Sequence, residues 1–180
     1  YSVILPEPID QTTTEMDAAL EYNGKQSQMR LTFHGSLFDN ANEALRWQQP
    51  GFSTSPGSTL PSSGQLALPP DNSFFQLGLS AGTRLGETTR LTGLLSVGLM
   101  QQNEDFLPYG LSTPGGLPRD SLDGEVYVYS ARATLSSRPL DKLRVNARYR
   151  YDERDNRTES AAYLYDVMDS GKTPNPAVAV

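Results

Sequence analysis

The segment that decides the fold reads TEMDAALEYNG and spans residues 14–24. Its apolar side chains recur at every second position: Met16, Ala18, Leu20 and Tyr22. The positions between them carry three carboxylates: Glu15, Asp17 and Glu21. This period of two is typical of a β-strand with one apolar and one polar face. The dipeptide Asn23-Gly24 then predicts a tight hairpin turn, because both residues tolerate a positive φ.

The same alternation recurs along the chain and predicts six antiparallel strands. They lie near residues 12–22, 26–37, 73–84, 89–101, 125–136 and 142–152. Short turns near Asn23, Gly86 and Pro139 join the strands in pairs, whereas long segments rich in Pro, Gly and Ser separate the pairs. These predicted long loops are residues 39–72, 102–124 and 153–180. Strict alternation of short turns with long loops is typical of outer-membrane barrels, where the turns are periplasmic and the loops extracellular.

The predicted fold class is all-β: an antiparallel up-and-down transmembrane β-barrel segment of about six strands. The 180 residues are only 37% hydrophobic, and no run reaches the roughly 18 apolar residues of a membrane-spanning helix. A barrel is compatible with that composition because its strands alternate. Aromatic residues support the interpretation: if the third hairpin folds about residues 139–140, Tyr127 and Tyr129 lie level with Tyr149 and Tyr151 at the loop end.

The alternation also assigns the two faces. The side chains expected to meet lipid are Leu31, Leu79, Leu95, Val97, Ala133 and Val145. Those expected to point into the lumen are Gln28, Arg30, Arg132, Arg144 and Arg148. Because side chains alternate with a period of two, a slip of one residue would reverse a whole strand.

Composition and motifs exclude several classes of function. The absence of cysteine excludes a disulfide, a thiolate metal site, a thiol nucleophile and covalent haem attachment by this chain. The net charge of −6 argues against a general nucleic-acid binder. No serine lies in a Gly-x-Ser-x-Gly elbow, and residues 113–116 lack the lysine of a phosphate-binding loop. We therefore expect a protein that is not an enzyme. Neither a signal peptide nor a terminal strand is recognisable, so we expect both ends to be cut inside loops.

Three stretches, residues 35–47, 102–109 and 147–158, resemble the MtrB/PioB-type family of decaheme-associated outer-membrane β-barrels. The resemblance implies an internal segment of a longer barrel in the bacterial cell outer membrane. It further implies that the barrel sheathes a periplasmic multihaem c-type cytochrome in its lumen. Electrons would then cross the membrane to an extracellular acceptor or an extracellular cytochrome. In that arrangement the partner carries the haem, and this chain binds none covalently.

Within this interpretation, the candidate lumen-facing partner contacts are Arg30, His34, Arg132, Arg144, Arg148 and Arg150. The arginines could bind haem propionates or an acidic cytochrome surface, or they could line a water-filled lumen. His34 could ligate iron or bind a propionate, or it could be an ordinary hydrogen-bonding residue. Residues 152–156 are a candidate Ca²⁺ cluster, although a solvated loop is the simpler interpretation.

Two other functions are compatible with the same strands. One is a solute porin with an open aqueous lumen. The other is a soluble all-β binding module whose long loops engage a ligand. The content of the lumen would distinguish the sheath from the porin.

Overall fold

The computed structural model describes residues 5–48, 63–107, 117–163 and 178–179. The strands are β1 (Gln11–Asn23), β2 (Ser27–Asn40), β3 (Ala44–Gln48), β4 (Ser63–Ala67), β5 (Asn72–Arg84), β6 (Thr89–Gln102), β7 (Gly124–Leu140), β8 (Leu143–Asn156), β9 (Ala162–Tyr163) and β10 (Val178–Ala179). Six of them form one antiparallel sheet in the order β1-β2-β5-β6-β7-β8. In the described part of the chain, no helix is long and apolar enough to span a membrane.

The all-β, antiparallel prediction is confirmed, and each of the six predicted strands has its counterpart in this sheet. The largest differences lie at the loop ends and in the third hairpin, where β7 and β8 each extend four residues beyond the predicted end. The sheet is open, with β1 and β8 at its edges. The six strands lie side by side in the order in which they occur along the chain. Strands β3 and β4, which come between β2 and β5 in the sequence, form a separate hairpin outside this sheet.

The strand register separates the side chains into an apolar face and a polar face. One row across the apolar face consists of Leu20, Leu31, Leu79, Leu95, Ala131 and Tyr151. The adjacent row on the polar face consists of Glu21, Arg30, Ser80, Leu94, Arg132 and Arg150. Both rows agree with the predicted faces. Leucines on the apolar face are exposed, with Leu20 at 71% and Leu95 at 57%, so this surface lacks a covering layer within the described chain.

The three short turns differ in how well the sequence predicted them. Gly86 has a φ of +79°, as the predicted turn at that position requires. Asn23-Gly24 does not form the expected turn with positive φ: the loop is longer and closes with the Gly24 amide donating to Ser27 O at 2.8 Å. The third turn lies at residues 141–142 instead of 139–140, because Leu140 pairs with Leu143 after a bulge that includes Pro139.

That turn shifts the predicted aromatic level. Tyr127 and Tyr129 lie opposite Asp155 and Glu153, whereas Tyr151 lies opposite Ala131 and Tyr149 opposite Ala133. The prediction that all four tyrosines share one height is therefore wrong, since it assumed a turn centre two residues too early. Tyr127 and Tyr129 still stack on each other with ring centroids 6.2 Å apart near the loop end.

The long loops contain structure that the sequence analysis did not predict. Strands β3 and β4 pair within the first loop, and β9 pairs with β10 in the third. The base of the first loop is held by Asn40, which is 7% exposed. Its amide N–H donates to Asp71 Oδ1 at 2.8 Å, and its side-chain Nδ2 donates to Pro69 O at 2.9 Å. Residues 49–62, 108–116, 164–177 and 180 of the predicted loops lie outside the described residues.

Gly98 gives β6 a close contact that any larger residue would disturb. A Cβ at this position would lie 2.7 Å from Cε2 of Phe74, whereas a Cβ at Gly93 on the same strand would meet only Arg132 O, at an ordinary van der Waals distance of 3.9 Å. We expect Gly98→Val to destabilise the full-length protein by about 1–3 kcal/mol, because the Phe74 ring must move. Urea unfolding in detergent measures this cost.

Gly93→Val is the matched control and is expected to have a smaller effect. Adding Phe74→Leu to Gly98→Val should recover part of the loss, because the shortened side chain leaves room for valine. Equal destabilisation by the two valines would contradict the packing explanation.

Candidate functional site

The polar face forms a concave surface across the middle of the sheet, which we call the central trough. Its floor consists of the short side chains of Ser80 and Thr92 together with the backbone of Ala81, Gly82 and Gly93 on β5 and β6. Longer charged residues rise on either side, with Glu21 and Arg30 on β1 and β2 and Arg132 on β7. The cavity measures about 460 Å³. A surface of this shape can receive a convex partner close to the backbone.

Three of the predicted arginines on the polar face have carboxylate neighbours. Arg30 Nη1 lies 3.2 Å from Glu21 Oε1 on the neighbouring strand. The side chain of Asp152 accepts a hydrogen bond from Arg150 Nε and also lies 4.0 Å from Arg132 Nη2. These pairs have side chains 43–69% exposed, so water screens them and they contribute little to stability.

Arg144 and Arg148 differ from the other predicted arginines. Both are exposed on β8, and no carboxylate of the described residues lies within 4.0 Å of either guanidinium group. The register places Arg148 opposite Thr134, one step from the Arg132–Arg150 pair. Of the five predicted lumen-facing arginines, these two therefore remain available to an external anion.

His34 lies on the polar face, nearer the loop end than the trough. Its Nδ1 is 2.9 Å from Asp17 Oδ1, and its ring lies 6.1 Å from the ring of Phe74. Asp17 therefore fixes the orientation of the imidazole and leaves Nε2 directed away from that carboxylate. The structure brings His34 together with Asp17, not with the arginines of the central trough.

The candidate Ca²⁺ cluster at residues 152–156 is not a loop. These residues belong to β8, where Asp152 and Arg154 point to one face and Glu153 and Asp155 to the other. Carboxylates on opposite faces cannot converge on one ion. Among the described residues, no group of three or more His, Asp or Glu side chains could hold a metal.

Beyond the predicted strand end, Asp155 and Arg157 form a pair at the loop end. Arg157 Nε donates to Asp155 Oδ2 at 2.9 Å, and this hydrogen bond raises the pKa of Arg157. The guanidinium group lies 4.6 Å from the centroid of the Tyr127 ring, a cation–π contact. The pair lies on the face opposite to the trough.

The sequence analysis missed an apolar part of the polar face at the loop end. A cavity of about 640 Å³ is lined there by Phe74, Met100, Val126 and Leu122, among others. Phe74 and Met100 are direct neighbours in the register, and Met100 pairs in turn with Val126. The sequence did carry a signal for this cavity: Phe74, Met100 and Val126 are apolar residues at positions where the alternation of their strands predicts polar-face side chains. The polar face is therefore polar at its centre and apolar toward the long loops.

An antiparallel meander with one exposed apolar face and one polar face defines the class of protein as a membrane β-barrel. Residues 1–175 match the family model described as "Putative outer membrane beta-barrel porin, MtrB/PioB". The chain therefore belongs to the MtrB/PioB family of outer-membrane β-barrels, a porin-like class and not a class of enzymes.

A curated relative agrees with this assignment. Over 158 residues the chain is 29% identical to "Outer membrane protein MtrB" of Shewanella baltica, an alignment that covers 88% of this chain. The chain spans 22% of the length of that relative. Family and relative together place the protein in the outer membrane, where the apolar face of the sheet meets lipid.

Proposed function

We propose that this segment forms part of the wall of an outer-membrane barrel that sheathes a multihaem c-type cytochrome. The complex would be a transmembrane electron conduit that passes electrons to an extracellular acceptor or an extracellular cytochrome. In this proposal the haem belongs to the partner, and the barrel insulates and positions it without redox chemistry or catalysis of its own.

The observation that carries the proposal is the central trough. Short side chains at Ser80, Gly82 and Thr92 leave its floor open, so a partner can approach the backbone of β5 and β6. Arg30 and Arg132 border this floor on opposite sides and lie in one row of the register. A convex protein surface that carries carboxylates matches this arrangement in both shape and charge.

The arginines of β7 and β8 supply the charged contacts in this proposal. Arg148 lacks a carboxylate neighbour within 4.0 Å among the described residues, and Arg132 has one only at 4.0 Å. Haem propionates or acidic side chains can bind a guanidinium group through two parallel hydrogen bonds. His34 is the remaining candidate contact, with its ring held by Asp17.

The test removes two trough-side charges from the full-length protein. Arg132→Gln/Arg148→Gln should reduce retention of the cytochrome by roughly tenfold or more, because each lost charged hydrogen bond costs about that factor in affinity. Retention is measured as haem absorbance per barrel after purification in detergent. Electron transfer across proteoliposomes provides the functional readout.

Arg46→Gln/Arg157→Gln is the matched control, because it removes the same charge away from the central trough. It should retain wild-type levels of cytochrome and electron transfer. Equal retention by the trough variant and the wild type would refute the role of these arginines. A wild-type barrel purified without haem that conducts ions across a planar bilayer would instead establish the solute porin.

A further inference from the structure

A second set of cations lies at the opposite end of the polar face from the long loops. The turn-end cleft, as we call it, measures about 250 Å³. It is lined by Arg84, Glu87, Thr88, Thr89, Arg90, Ser136, Ser137, Arg138 and Arg144. Four arginines and Ser136 thus border a space large enough for a small anion, whereas the register turns the Thr89 and Ser137 side chains toward the apolar face.

The strand register gives this cleft an uncompensated pair of like charges. Arg84 lies directly opposite Arg90 at the last cross-strand pair before the turn. Like charges directly opposite each other destabilise a sheet. Higher on the same face, Arg30 has Glu21 at 3.2 Å. At the turn end, no carboxylate of the described residues, Glu87 included, lies within 4.0 Å of the four cleft arginines.

Hydrogen bonds between strands hold the cleft in place. The Arg138 amide donates to Thr88 O, and the Leu85 amide donates to Thr89 O, both at 2.9 Å. On the reverse face of the sheet, the Thr89 and Ser137 hydroxyl oxygens lie 2.8 Å apart. The backbone beneath the arginines is therefore fixed by neighbouring strands, which lowers the cost of ordering the site around a ligand.

We propose that the turn-end cleft binds a phosphate-type oxyanion. Such a group presents several acceptor oxygens, which suit the planar guanidinium donors of Arg84 and Arg90 and the Ser136 hydroxyl opposite Arg90. Its negative charge offsets the repulsion between the two arginines. The site lies apart from the central trough, and the proposal holds whether a cytochrome or water fills the lumen.

The phosphate group has two possible sources, and the experiment separates them. Arg84 and Arg90 lie on the polar face, which favours an anion from the aqueous mouth of the barrel. Exposed Leu85, Leu140 and Leu143 lie near the same turns, at 53%, 67% and 47% exposure, so a phospholipid headgroup at the membrane surface is the other source. Both would use the same contacts in the cleft.

Calorimetric titration of the purified full-length protein with inorganic phosphate, at constant ionic strength, tests the aqueous source. Native mass spectrometry with phosphatidylglycerol, compared with phosphatidylcholine of the same acyl chains, tests the lipid source. Arg84→Gln/Arg90→Gln should weaken binding at least roughly tenfold, because it removes two charged donors. Arg46→Gln/Arg157→Gln carries the same charge change and should bind like the wild type.

Loss of binding in the cleft variant alone supports the proposal, and the probe that binds identifies the source. Two results would overturn it. In one, neither inorganic phosphate nor phosphatidylglycerol binds the wild-type protein. In the other, the cleft variant and the control variant bind equally, which would reveal a general charge effect. Circular dichroism of both variants confirms that the strands are intact.

Discussion

Leu95→Arg in the full-length protein is expected to cost about 2–4 kcal/mol of stability, the typical cost of a charge on the lipid face near the membrane midplane. Leu95 lies near the middle of β6, and its side chain is 57% exposed on the apolar face. In the outer membrane that exposure is to acyl chains, which cannot solvate a guanidinium group. The folded fraction in the outer membrane, measured by resistance to protease, should fall accordingly.

Leu94→Arg makes the same substitution one residue earlier, on the polar face. Leu94 lies opposite Ser80 and Arg132, so its replacement adds a like-charge neighbour that costs roughly 0.2–1 kcal/mol. The two variants carry the same new charge on opposite faces of the same strand. Equal losses, or a larger loss for Leu94→Arg, would contradict the assignment of the faces.

Val97→Pro should reduce the stability of the full-length protein at least as much as Leu95→Arg does. Strand β6 is hydrogen-bonded on both sides, so proline removes a ladder donor and leaves a carbonyl without its partner. In the hydrocarbon region no water replaces that bond, and the expected cost is at least about 3 kcal/mol. The amount of folded protein in the outer membrane should fall to a small fraction of the wild-type level.

Val97→Ala separates the backbone effect from the loss of the side chain, because alanine keeps the N–H group. It should insert nearly as well as the wild type. The natural Pro139 shows where the sheet accepts proline, since it lies at the bulge between Ser137 and Leu140. Normal insertion of the Val97→Pro protein would show that this part of β6 does not lie within the hydrocarbon.

The six long strands could be predicted from the sequence because each keeps a period of two over most of its length, with exceptions such as Leu94 and Met100. The three hairpins followed from the short turns, the pairing of neighbouring hairpins from the up-and-down barrel interpretation, and the faces from the alternation at residues such as Leu31 and Arg30. The register of the third hairpin could not be predicted, because Pro139 indicated the centre of the turn, whereas it lies in a bulge. Composition alone does not distinguish a proline in a turn from one at a strand irregularity.

The candidate site was predicted in part. The polar face and its arginines followed from alternation, but the role of Asp152 did not. The acidic run 152–156 indicated a solvated loop, whereas β8 continues through it and brings Asp152 beside Arg150 and Arg132. The turn-end cleft was also missed. It joins Arg84, Arg90 and Arg144 from three strands, and only a known register places them together.

The nearest-neighbour order of the long strands has a consequence for how such a wall changes in evolution. Each hairpin contacts only the hairpins beside it, so gaining or losing one changes the circumference by two strands and leaves the register of the others intact. Barrel diameter grows with strand number. Duplication of a single hairpin would therefore increase the barrel diameter in steps of two strands. This provides a simple route for matching the diameter of the lumen to the size of its occupant.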